Sequence, residues 1–118
     1  MEYVDGFVVA VPNKNKDKYI QHAREAAVIF KEYGALRLVE CWGDAVPEGQ
    51  LTSFPMAVQC QPDETVVFSW ISWPSKAAHD TGMEQFMNDP RIKAMNMDDM
   101  PFDGKRMIYG SFQMIVDE

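Results

Sequence analysis

"TVVFSWISW", residues 65 to 73, decides how this chain folds. β-Branched and aromatic residues dominate it, the turn-forming "QPDE" at 61–64 leads into it and Pro74 stops it, so it reads as a strand. Successive side chains of a strand point to opposite faces. Val66, Phe68, Trp70 and Ser72 therefore share one side, and Thr65, Val67, Ser69, Ile71 and Trp73 the other. Both sides are apolar. A sheet with one wet face alternates apolar with polar residues, so this strand asks for cover on both faces. "FVVAV" at 7–11 and much of "MIYGSFQMIV" at 107–116 make the same demand.

Working outward, "YVDGFVVAV" at 3–11 is a strand closed by Pro12. "NKNKDKYIQHAREAAVIFKEYG" at 13–34 is a helix with Asn13 or Asn15 as its cap and Gly34 as its stop. Tyr19, Ala23, Ala26, Ala27, Phe30 and Tyr33 form its apolar stripe. A strand over 36–42 comes next, then a loop with Gly43, Pro47 and Gly49, and an expected strand over Phe54–Gln61. After Pro74, Ser75 caps a second helix running to about Asn88, and Asp89 with Pro90 starts a short third one. "FDGK" turns the chain into a last strand over Arg106–Val116.

The order β-α-β-(β)-β-α-β is that of an α+β, ferredoxin-like fold with an extra strand or hairpin in the middle, its helices on one face of an antiparallel sheet. The second sheet face needs another layer. The simplest supplier is a second copy of the chain, sheet against sheet about a two-fold axis, which predicts a homodimeric α/β barrel.

The chain has 118 residues, enough for one domain over 1–118 with a modest core. Its net charge of −7 argues against nucleic acid, whose phosphates are bound through Lys and Arg. No apolar run reaches the ~20 residues that cross a bilayer, and the first residues lack the pattern of a signal peptide. The expected compartment is the cytoplasm, where Cys41 and Cys60 stay thiols. No cysteine or histidine spacing suits a metal, and no cofactor motif stands out, so none is expected.

The candidate site starts from "LRLVECWGD" at 36–44. Glu40 shares a face with Leu36, Leu38 and Trp42, and a carboxylate in that setting needs a partner or becomes neutral. A salt bridge to Arg106 or Arg37 is one reading. A general base or polar anchor in an apolar pocket is a second, and plain exposure near the strand end a third. The expected pocket lies between sheet and helices and takes a small apolar or aromatic metabolite, with Trp42, Trp70 and Tyr109 as walls and Glu40 and Arg106 as polar contacts. His22 and His79 both read as surface residues.

"YVDGFVVAVP", "FKEYGALRLVECWGDAVPEG", "VVFSWISWPSK" and "MPFDGKRMIYG" closely resemble the YbaA-like bacterial family, domain of unknown function 1428. The similarity runs from end to end. It implies a small cytosolic protein with a dimeric α/β-barrel fold and brings no established activity. Relatives by fold include cofactor-free monooxygenases, polyketide cyclases, haem enzymes and proteins without catalysis. Two function classes are compatible with this. One is a ligand-binding homodimer whose enzymatic version would be a cofactor-independent monooxygenase or isomerase with Glu40 as the base. The other is a non-catalytic interaction module with a filled core.

Overall fold

Apart from the Met97 side chain, the computed structural model describes residues 1–118. Its regular elements are β1 (Tyr3–Pro12), α1 (Lys16–Glu32), β2 (Arg37–Trp42), α2 (Phe54–Ala57), β3 (Glu64–Trp73), α3 (Lys76–Met87), α4 (Pro90–Lys93) and β4 (Ile108–Gln113). The strands form one sheet in the order β2-β3-β1-β4, with every neighbouring pair antiparallel. That is the ferredoxin-like arrangement expected from the sequence.

Two boundaries differ from the sequence expectation. Residues 54–61 do not add a strand. Ser53 caps the segment through its hydroxyl, which accepts the Met56 N–H, and Pro55 sits in the first turn, so the chain coils into α2. Gln59 then takes a positive φ of 49° and ends the helical path. The last strand is also shorter than Arg106–Val116. Asp103 caps a turn over Gly104–Arg106 by accepting the Lys105 N–H, which delays the start of β4. At its far end Gln113 pairs with Tyr3, the first residue of β1, so the sheet offers residues 114–118 no strand to pair with.

Helices α1 and α3 cover one face. Ile29 and Phe30 of α1 and Phe86 of α3 pack on Ile71 and Trp73 of β3, with the Phe30 and Phe86 rings stacked 3.7 Å apart. Tyr19 of α1 closes a second cluster over Val9, Val11 and Val67. Gly82 lets α3 come down on the sheet. A Cβ there would lie 2.4 Å from the Trp73 ring and 2.5 Å from the Tyr33 carbonyl oxygen.

Among the described residues the opposite face carries no helix beyond the short α2 at one end, whose Phe54 meets Phe68 edge-on. Strand register sets its side chains in rows: Arg37, Ser72, Val4 and Phe112; then Val39, Trp70, Gly6 and Gly110; then Cys41, Phe68, Val8 and Ile108. At one end of the sheet, Val58 and Cys60, from the connection between β2 and β3, cover Val8, Ala10 and Val66. Elsewhere the face is bare, leaving Phe68 43% and Phe112 58% exposed.

Candidate functional site

The structure separates the five residues singled out from the sequence. Glu40 and Trp42 lie on the helix-covered face of β2, while Trp70 lies on the bare face, 5.7 Å from the Phe68 ring. Tyr109 lies on the edge strand β4, stacked on Phe7 and 74% exposed. Arg106 is fully engaged elsewhere. Its guanidinium makes a two-pronged pair with Glu64 at 2.8 and 2.7 Å, a bond to Asp103 at 3.1 Å and one to the Gln59 carbonyl at 2.8 Å. The Arg106 hydrogen bond holds the Glu64 carboxyl below its usual range, as expected for a charge-assisted fork. Arg106 thus ties the turn before β4 to the start of β3 and to the loop after α2.

Among the described residues, Glu40 has no ionic partner. Its carboxylate accepts the Tyr19 hydroxyl at 2.6 Å and stands opposite Ser69 in the register. The residue keeps an exposed outer side, yet burial of the carboxylate beneath α1 pushes its pKa up, and the bonds from Tyr19 and Ser69 only partly offset this. The Tyr19 hydroxyl is also pushed up, first by burial and then by the neighbouring Glu40 charge. Within the chain Glu40 therefore bonds to Tyr19 rather than to Arg106 or Arg37, because α1 brings the Tyr19 hydroxyl to it while the Lys16 ammonium of the same helix lies over the Trp42 ring.

A second polar cluster joins residues far apart in sequence. Asp5, 4% exposed, accepts the Trp73 indole N–H at 3.0 Å on one oxygen. Its other oxygen accepts the Ser111 hydroxyl at 2.6 Å and faces His79 Nε2 at 2.9 Å. The other ring nitrogen of His79 faces Asp80 at 2.9 Å, and Asp80 also pairs with Lys76. Tyr3 and Trp73 flank the imidazole edge-on. His79 is therefore enclosed rather than a surface residue. Although Ser, His and Asp meet here, the Ser111 proton goes to Asp5, and the ring nitrogen is 3.5 Å from the hydroxyl. A nucleophilic serine hands its proton to histidine, so this is a packed acid–base cluster and not a hydrolase triad. The one visible sequence signal was a carboxylate inside the apolar run of β1; no spacing links positions 5, 79 and 111.

The layer between sheet and helices is filled by Phe30, Phe86 and Trp73, so the expected pocket does not lie there. A hollow of about 260 Å³ lies instead at the end of β2 and β3, lined by Cys41, Trp42, Val46, Phe54, Val66 and Phe68 together with Gly43 and Asp44. Of the five sequence candidates only Trp42 reaches it. Its walls are apolar, with Phe54 edge-on to Phe68. Among the described residues, no group of three or more His, Cys, Asp or Glu is placed to hold a metal ion, and no helix is long and apolar enough to cross a membrane.

Fold and site together define a ferredoxin-like α+β protein with a bare apolar sheet face and a shallow apolar hollow at its rim. Solved structures agree on the fold. A Bacillus cereus protein assigned as an antibiotic biosynthesis monooxygenase superposes with a TM-score of 0.59 at 9% identity, covering 100% of this chain and 95% of its own. A dimeric ferredoxin-like protein from an uncultured marine organism gives 0.58 at 8% identity, each chain covered in full. The chain belongs to the family described as protein of unknown function DUF1428, whose pattern it matches over residues 2–104. It is 57% identical to the uncharacterized protein YbaA of Escherichia coli K12 and of Shigella flexneri, over 100% of both chains.

Proposed function

We propose that the chain works as a single-domain cytosolic homodimer, two protomers stacking their bare sheet faces into an α/β barrel. In this reading each barrel binds a small apolar or aromatic molecule in the hollow beside Trp42, Phe54 and Phe68. The observation that carries it is the uncovered face itself. Phe68, Ile108 and Phe112 stand exposed beside half-buried Val39 and Trp70, on a chain whose net charge is −7. Contiguous apolar surface of this kind on a charged soluble chain marks an interaction site. A two-fold axis lets one patch serve both copies.

Cys41, Val66 and Phe68 of the hollow's lining stand on the same face, so a second copy stacked there would cover that side of the recess. Sedimentation and native mass spectrometry of the protein purified from its own cytosol test both halves. A dimer carrying a bound small molecule supports the reading, an empty dimer removes the ligand, and a monomer removes the assembly.

A second reading has its own observation. Glu40, held partly out of water under Tyr19 with a raised pKa, has the properties of a general base in a cofactor-independent monooxygenase or isomerase. Under this reading, oxygen uptake or isomerisation with electron-rich phenols is lost in Glu40→Gln. Turnover that survives the substitution removes Glu40 from that role.

A further inference from the structure

We propose that His79 is a proton-dependent latch that holds the first turns of α3 against the β1–β4 edge of the sheet. Both ring nitrogens lie 2.9 Å from carboxylate oxygens, Nε2 from Asp5 and Nδ1 from Asp80. Carboxylate oxygens only accept, so both contacts are hydrogen bonds only when the ring carries both its protons. In that form the ring is the cation beside Asp5.

The groups around the ring show what depends on this charge. From β1 come Asp5 and the edge of Tyr3, from β3 the Trp73 ring, from β4 the Ser111 hydroxyl, and from α3 itself Asp80 and Lys76. Lys76 pairs with Asp80 at the solvent side and lies 6.0 Å over the Tyr3 ring, so it is no counter-charge for Asp5. Trp73 and Ser111 give Asp5 neutral hydrogen bonds. His79 is its cation.

Asp80 is exposed and turns to water at little cost when Nδ1 loses its proton. Asp5 has no such freedom. It is left as a buried carboxylate without a positive partner, an arrangement that costs far more than an exposed pair. Water relieves it most simply by entering between the start of α3 and the sheet edge. The rest of α3 stays in place, because the Phe30–Phe86 stack and the contact of Gly82 with Trp73 lie further along the helix. Opening uncovers Asp5 beside Ser111 and Tyr109, which are already exposed.

The latch is closed only while the ring carries both protons and Asp5 its charge. The test pairs ring-nitrogen NMR of His79 with native-state amide exchange, corrected for intrinsic rates, across that titration. Amides of residues 78–81 should lose about tenfold or more in protection as the ring becomes neutral, while those of residues 26–30 hold. His79→Gln should give the low protection at every pH. Asp5→Asn, which removes the buried charge, should keep α3 protected and abolish the pH dependence. A ring already neutral while α3 is fully protected overturns the latch. So does protection that ignores the ring's charge, or an unchanged pH dependence in Asp5→Asn.

Discussion

The two faces of this sheet solve the same problem in different ways. On the helix side the polar groups lying among apolar residues have partners from the chain itself. Asp5 has Trp73, Ser111 and His79, and Glu40 has Tyr19. On the bare side the rows are almost wholly apolar, and the hydroxyl of Ser72, a residue only 4% exposed, has no hydrogen-bond partner. The first face is complete within one chain. The second is built for cover that one chain does not supply, which is the basis of the proposed dimer.

Four substitutions break or sharpen that contrast. Trp73→Ala should do most, since Trp73 is wholly buried and anchors both the α3 contact and Asp5. A loss of about 4 kcal/mol in urea unfolding is expected, in the range for truncating a buried aromatic. A loss below about 1 kcal/mol would mean the helix side is loosely packed. Phe68→Glu, on the other face, should leave the protomer folded and weaken the dimer at least ~100-fold, about 2.8 kcal/mol at 1.4 per decade. Sedimentation equilibrium reads it, and an unchanged dimer would move the interface off this face.

Gly82→Ala comes next. The added methyl meets the Trp73 ring and the Tyr33 carbonyl, neither free to move, so overpacking should cost about 2 kcal/mol. A neutral result would show that α3 rides further from the sheet. Glu40→Gln has the smallest effect and the most informative sign. Burial raises the Glu40 pKa above its ordinary 4.5, so the folded state favours the protonated carboxyl. Its contribution is present below 4.5 and lost as pH rises through the raised value. Glu40→Gln should therefore remove that slope and be at least as stable as the parent at neutral pH. A variant less stable at pH 7 would reveal an ionic partner, and a slope retained in the variant would assign it to other groups.

Most of the fold was legible because its signals are local. Both helix caps at Ser75 and Asp89, the Gly34 stop and the apolarity of β3 on both parities lie within a few residues of what they determine. The segment 54–61 misled because Phe54, Met56, Val58 and Cys60 alternate like a strand, while Ser53 and Pro55 favour a helical turn. The site was less legible, since partners are chosen in three dimensions. Glu40 was visible as a carboxylate in need of company, but that company is Tyr19, supplied by the way α1 crosses the sheet. Arg106 is occupied by Glu64 through a turn whose path no spacing announces. His79 joins Asp5 and Ser111 only because β4 returns beside β1.

That return has a consequence for how the chain is made. β1, at Tyr3–Pro12, pairs along half its length with β4, at Ile108–Gln113, nearly the whole sequence away. A ribosome adds roughly 5–20 residues per second, so β1 waits on the order of ten seconds for that neighbour. Once β3 has been made, β1 has it on one side and a naked edge on the other until β4 follows, and Asp5 meanwhile lacks Ser111. That edge stays adhesive until β4 emerges, and the sheet is completed when β4 docks on β1.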